Sequence, residues 1–328
     1  MSLTTRPIVI PEKTRRVLSS LTTYLLPILF VGLIVFFAVM EPRFIDLANI
    51  ANVSRQSVFL LLITLGQMIV LINAQLDLSV GATVAITSVI VATVTSRIGE
   101  GIGALFGGVA VALVVGLGVG LLNGAIVSLW RVPSFMATLG TTSILTGTAL
   151  LITKGAPVTG VPFSFMDVLG TGNLFGIPTP VIIGVAVLLL VMLFMNRIPA
   201  GRNMYAIGGN VEAARVAGIS VRRTTLLAFV LCSVFAALAG MLLAARLGSG
   251  EASLGASYVM LSIAAAVLGG TSLFGGEGVV WRVLLGVLFM GVLSNGMNLL
   301  HISSYVQEIV IGCVLVMAVG LERLREKL

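Results

Sequence analysis

The sequence predicts an all-α polytopic membrane protein of about ten transmembrane helices, and three observations carry that prediction. Hydrophobic residues make up 58% of the 328 and charged residues only 9%, against about 25% charged in an ordinary soluble domain. Mean hydropathy is +1.16. Apolar stretches of about 20 residues, long enough to cross a bilayer as helices, recur along most of the chain.

The first stretch, near residues 21–40, follows Arg15 and Arg16 and so has the charge order of a secretion signal. It is too long for an h-region, and no small-x-small cleavage pattern appears before Glu41-Pro42, so it is read as the first span. Four more lie near 57–73, 79–96, 102–122 and 134–153. The remaining five lie near 179–196, 224–245, 258–274, 283–300 and 304–320. Few residues are left for a soluble domain. The expected organisation is an N-terminal cytoplasmic tail (1–20), a single transmembrane domain (21–320) and a C-terminal cytoplasmic tail (321–328).

Orientation follows from the basic residues, which stay preferentially on the cytoplasmic side. With ten spans and both termini inside, fourteen of the nineteen Lys and Arg fall inside, and only Arg43, Arg55, Arg97, Lys154 and Arg246 fall outside. Trp130-Arg131 and Trp281-Arg282 each fall at an inner boundary, where an indole and a snorkelling cation sit well. The net charge of +7 is accounted for by this topology, and no basic cluster points to nucleic acid.

Between Arg197 and Arg223 the chain turns polar and basic. Within this interval, 197–223, Asn210 is a good N-cap, Glu212 sits where a negative charge complements the helix dipole, and Gly218 can close the helix in the left-handed conformation. About two turns lie between them, too few to be stable alone in water, so this cytoplasmic helix is expected to dock on something. Small residues at Ala213, Ala214 and Ala217 would let a partner approach. The other reading is an ordinary capped loop helix.

The residues offer little catalytic chemistry. The lysines are Lys13, Lys154 and Lys327, none in the G-x-x-x-x-G-K-[ST] context of a P-loop, so the chain is not expected to hydrolyse ATP. His301 is the only histidine, which excludes a multi-histidine metal site, and there is no G-x-S-x-G elbow. No catalytic residue, metal ligand or bound cofactor is assigned. Gly116-x-Gly118-x-Gly120 and Gly170-Thr-Gly172 are read as helix packing and a turn. Cys232 and Cys313 both lie in apolar stretches and are read as buried thiols.

Glycine-interrupted helices in both halves of a transporter point to its substrate path. Asn123-Gly124 and Asn295-Gly296 fall on either side of the central loop, and Leu78-Ser79-Val80-Gly81-Ala82 is echoed by Ser253-Leu254-Gly255-Ala256. These echoes predict two related halves in opposite orientation, unless they recur by chance in a chain with 38 glycines. Asp77 reads as an N-cap of the third span or as a group lining a pathway. Gln75, Asn123, Asn295 and Asn298 are further candidates for a polar translocation path, each of which a neighbouring helix could equally satisfy.

Glu212-Ala213-Ala214-x-x-x-Gly218-Ile219 resembles the E-A-A-x-x-x-G signature of membrane subunits of ATP-binding-cassette (ABC) importers. The preceding Gly201-Arg202-Asn203-x-Tyr205-Ala206-Ile207-Gly208-Gly209-Asn210 is similar to the longer form found in permeases of the ribose and related monosaccharide branch. Leu76 to Gly81, Pro133 to Gly140, Gly269 to Gly278 and Asn295 to Leu300 resemble the same branch, so the likeness runs from about Glu41 to Gly320. The chain departs from it at Ala74-Gln75-Leu76, where the family usually has Gly-Gly-Ile, at Trp281-Arg282, and at His301, a place commonly held by glycine.

The resemblance implies a permease in the bacterial cytoplasmic membrane that passes a monosaccharide inward. A separate ABC ATPase subunit would use ATP and Mg, an extracytoplasmic sugar-binding protein would deliver the sugar, and a second permease chain, identical or different, would complete the pore. It also implies that Asn210, Glu212, Ala213, Ala214, Arg215 and Gly218 form the ATPase-coupling element. Two other classes remain open. An ion-coupled secondary transporter of a small polar solute would need more ionisable groups at mid-membrane than Asp77, and an intramembrane enzyme would need a nucleophile and base.

Overall fold

Why the chain folds as a layered bundle is visible in the helix that is apolar all round. The structure, a computed structural model, describes residues 12–326; residues 1–11 and 327–328, which include parts of both expected tails, lie outside the described residues. Its helices are α1 (Glu12–Met40), α2 (Leu47–Ile72), α3 (Val80–Ile98), α4 (Ile102–Ser128), α5 (Ser134–Thr153), α6 (Phe163–Met166) and α7 (Thr179–Arg197), then α8 (Pro199–Gly209), α9 (Val211–Val216), α10 (Val221–Leu247), α11 (Ala256–Leu268), α12 (Val280–Leu299) and α13 (Ser304–Glu326). Residues 57 to 72 of α2 are buried without a break, as expected of a helix without a polar face. It runs through the centre with α10, α11 and α12 around it, while α4, α5 and α7 keep most of their apolar surface outward.

Among the described residues seven helices are long and apolar enough to cross a membrane, and the apolar parts of α1, α11 and α13 are shorter. Together they coincide with the ten expected stretches. The fold is therefore an all-α polytopic membrane protein, with a two-residue hairpin, β1 (Asn173–Leu174) and β2 (Ile177–Pro178), as the sheet among the described residues.

The helices exchange partners between the halves. Helix α10, from the second half, packs on α3 and α4, and α2, from the first, packs on α11 and α12; α3 in turn packs on α4 and α5, as α11 packs on α12 and α13. This reciprocal pattern is what two related halves produce. The glycines of α4 make the closest part of it. A Cβ on Gly116 would lie 2.7 Å from the Val234 Cα, one on Gly120 would lie 2.5 Å from the Val230 Cα, and one on Gly124 3.0 Å from the Leu226 Cα. Every fourth residue of α4 thus meets every fourth residue of α10 backbone to backbone, as small residues permit in membranes. Gly118, between them, faces open space.

Three expectations require correction. The stretch near 258–274 is helical only to Leu268, because Gly269 and Gly270, the latter at φ 79°, turn the chain. Cys232 is buried but Cys313 is exposed, since α13 lies at the periphery where the chain's apolar surface faces outward. Asp77 does not cap α3: Ser79 holds the cap position, and the Asp77 carboxylate closes a turn on Ser79 two residues away.

Candidate functional site: a helical elbow and a buried polar relay

The polar interval folds as two helices. Helix α8 was not foreseen. Pro199 begins it, where a proline's missing N–H costs nothing, and Met204 and Ile207 bury its inner face. It seats on the end of α2 because Gly208 has no side chain: a Cβ there would collide with the Ile72 carbonyl and with the Gly276 nitrogen. The Gly276 N–H donates to the Ile72 carbonyl at 2.9 Å, and the Tyr205 hydroxyl donates to the Gly278 carbonyl at 2.8 Å. One short helix therefore touches the last turn of α2 and the turn that precedes α12.

Helix α9 follows with both ends chemically closed. The Asn210 Oδ1 accepts from the Ala213 N–H at 2.9 Å from an extended backbone, φ −161°. At the other end Gly218 is left-handed, φ 81°, the Gly218 N–H donates to the Arg215 carbonyl and the Ile219 N–H to the Ala214 carbonyl, each at 3.0 Å. Those two bonds are a Schellman closure. Arg215 reaches both oxygens of Glu212, at 2.8 and 3.1 Å, and both side chains are largely exposed. Such a surface pair contributes about 0–1 kcal/mol, so it orders the charges more than it stabilises the helix. Ala213, Glu212, Arg215 and Gly218 lie on the outside, whereas Ala214 is buried against its own chain and anchors the helix.

Between α2 and α3 the chain is not helical from Asn73 to Ser79. Non-helical backbone at membrane depth needs partners from within the protein, and α5 supplies them at every fourth residue. The Ser134 Oγ accepts from the Leu76 N–H and the Thr138 Oγ1 from the Leu78 N–H, each at 3.1 Å, and the Thr142 hydroxyl donates to the Leu78 carbonyl at 3.1 Å. This hydroxyl stripe explains the Pro133 to Gly140 segment, and it was missed because hydroxyl residues also satisfy their own helices.

A buried relay joins the same segment to α4 and α5. The Thr141 hydroxyl donates to the Asn123 Oδ1 at 2.6 Å, the Asn123 Nδ2 to the Ser79 Oγ at 2.8 Å, and the Ser79 hydroxyl to the Asp77 Oδ1 at 2.6 Å, which also accepts from the Ser79 N–H at 2.8 Å. All four residues are buried. Asp77 and Asn123 thus belong together. Asn295 does not join them: it exchanges two hydrogen bonds of 3.0 Å with Asn49. The exposed Asn298 accepts from the Gln307 Nε2 at 2.8 Å, and Gln75 lies toward α9 beside the first turn of α10. The five candidate path residues are therefore distributed over four places.

Comparison with known proteins follows these elements closely. The family described as branched-chain amino acid transport system / permease component matches residues 49–319, from the start of α2 to the apolar end of α13. The chain belongs to this permease family. It is 39% identical over 292 residues to the ribose import permease protein RbsC of Bacillus subtilis (strain 168), covering 89% of each chain. It is 35% identical over 296 residues to the D-allose transport system permease protein AlsC of Escherichia coli (strain K12), covering 90% of each. Over 206 residues it is 40% identical to the L-arabinose transport system permease protein AraH of the same organism, covering 63% of this chain and 62% of that one. No solved structure matches.

Ala74 and His301 stand in the left-handed conformation, φ 55° and 54°, the backbone state to which glycine is best suited.

Proposed function

We propose that this chain is the permease subunit of an ABC importer that moves a monosaccharide, a ribose-like pentose or a related sugar, inward across a bacterial cytoplasmic membrane. A separate ATPase subunit supplies the energy from ATP and Mg, an extracytoplasmic sugar-binding protein delivers the sugar, and a second permease chain, identical or different, faces this one across the pore. The chain itself is a transport subunit and not an enzyme.

The observation that carries this reading is α9: a six-residue helix closed at both ends, exposing Glu212, Ala213, Arg215 and Gly218. So short a helix needs tertiary support, and its buried Ala214 and the adjoining α8 provide it on one side only. The outer side is where the ATPase docks in this proposal. A push on α9 reaches α8, and α8 bears on Ile72 and on Gly276 to Gly278, one group from each half. Docking from the cytosol accords with the excess of arginine and lysine on that side. Alternating access then requires the two ends of the path to open in turn as the ATPase cycles.

The test is uptake and ATP hydrolysis by the reconstituted importer carrying Glu212→Lys or Gly218→Pro. Both variants are expected to insert normally and to separate sugar uptake from stimulated ATP hydrolysis. Normal values of both activities in both variants would remove the coupling role. The ion-coupled alternative rests on Asp77, whose Oδ1 is already engaged by Ser79. Uptake driven by an ion gradient with no ATPase present would favour it.

A further inference from the structure

An open cavity of about 550 Å³ lies where the link between α4 and α5, the end of α9 and the first turn of α10 meet. Its polar wall comprises Gln75, Ser128, Arg131, Ser220, Arg222 and Thr225, together with Arg215, whose guanidinium is already paired with the Glu212 carboxylate at 2.8 Å. The three guanidinium groups come from three different elements. Arg131 stands in the left-handed conformation, φ 59°, a backbone state that non-glycine residues seldom hold. Ser128 forms part of the wall, and its Oγ, buried beneath the surface, has no hydrogen-bond partner. Helix α10 opens on the same wall without a side-chain cap, so its first N–H groups are free for a ligand.

Solvated arginines on a cytosolic face need no ligand, but that account leaves the convergence of arginines from three elements on one concavity unexplained. We propose that the cavity is a phosphate-binding site for a phosphomonoester. A tetrahedral phosphate has oxygens for guanidinium groups arriving from several directions and for a helix N-terminus, whereas a planar carboxylate is filled by one or two. The volume exceeds that of a bare phosphate, and Val127, Ile219 and Val221 offer apolar wall for an attached organic group. That group belongs to a small soluble metabolite or to a lipid headgroup. An occupant would tie α4, α9 and α10 together. The proposal rests on this cavity and holds whether or not α9 docks an ATPase.

Calorimetric titration of the detergent-solubilised full chain with inorganic phosphate and with glycerol 1-phosphate, in about 0.15 M salt to screen diffuse attraction, tests it. One saturable site is expected, weakened at least about tenfold, or about 1.4 kcal/mol, in Arg131→Ala and Arg222→Ala. Binding should persist in Arg202→Ala, which removes an exposed arginine outside the cavity. Phosphatidic acid in mixed micelles separates the two sources: displacement of glycerol 1-phosphate assigns a headgroup, and its failure assigns a soluble ester. Hydrogen exchange on the unaltered chain gives an independent reading, with phosphate slowing the amides of residues 219–225. No saturable binding, an affinity in both alanine variants unchanged from that of the unaltered chain, or no slowing of those amides would overturn the proposal.

Discussion

Gly81 and Gly255 meet backbone to backbone where α3 and α11 begin. A Cβ on Gly81 would lie 2.5 Å from the Gly255 carbonyl oxygen, and one on Gly255 would collide with the Gly81 carbonyl. These are the positions at which Ser79-Val80-Gly81-Ala82 and Ser253-Leu254-Gly255-Ala256 echo each other in sequence. The non-helical segment before α3 is held by α5. The one before α11 is held by Val158, which exchanges two 2.9 Å bonds with Gly250, and by the Ser88 hydroxyl, which accepts from the Glu251 N–H at 3.2 Å. The two halves of the permease thus close on one another at a point where neither tolerates a side chain.

Gly255→Ala is therefore expected to destabilise the fold by about 1–3 kcal/mol, the range for forcing extra atoms into a packed interior. Its φ of −97° is open to alanine, so the whole effect is steric. The measurement is the thermal midpoint of the detergent-solubilised protein followed by size-exclusion chromatography. An unchanged midpoint would mean that α3 and α11 do not pack this closely.

The α4–α10 contact predicts a contrast inside a single helix. Gly120→Ala must push Val230 away or separate the helices, whereas Gly118→Ala meets nothing and gains about 1 kcal/mol of helix propensity. The first variant is expected to melt earlier than the unaltered protein and the second no earlier. The same order in both variants would remove the glycine stripe as a packing device.

The sequence made the spans and α9 legible for different reasons. Spans announce themselves because water and lipid divide residues by polarity over about 20 positions. Helix α9 is local: Asn210 and Gly218 act within their own turn, so their roles are written in adjacent residues. Helix α8 was hidden by Gly201, Gly208 and Gly209, which lower helix propensity and are tolerated because Gly208 sits against Ile72 and Gly276. The Ala214 burial and the Asn49–Asn295 pair depend on partners up to 246 residues away, and no local pattern encodes them.

His301 predicts a gain. An ordinary residue in the left-handed conformation costs about 1–2 kcal/mol, while glycine returns about 0.5–1 kcal/mol through its freer unfolded chain. His301 is exposed, so its ring has little packing to lose. His301→Gly should then stabilise the protein by about 0.5 kcal/mol. Gly270→Ala, at φ 79° with open space around it, should do the reverse. The pair separates backbone strain from packing, because neither new side chain meets a neighbour, and equal melting temperatures in both variants would sink the argument.

The loop between α3 and α4 carries the pH dependence that the structure makes definite. The Glu100 carboxylate accepts from the Phe163 N–H at 2.6 Å and from the Ser164 N–H at 2.8 Å, capping α6 from another part of the chain. The Ser164 backbone, helped by the Ser164 side chain and the Phe163 N–H, holds its carboxyl below the usual glutamate range. A lowered folded pKa means that the contact is fully present above the ordinary glutamate value, about 4.3, and is lost as pH falls through the folded value. Glu100→Gln keeps an acceptor but removes the charge. At neutral pH the Phe163 and Ser164 amides should exchange more slowly in the unaltered protein than in this variant, and the ratio should fall toward one in acid. Glu100 is exposed, so the effect is confined to α6 and leaves the global melting temperature in place. A ratio of one at neutral pH would show that the loop is held by Gly101, whose N–H donates to the Ser164 Oγ at 2.9 Å, and not by the carboxylate.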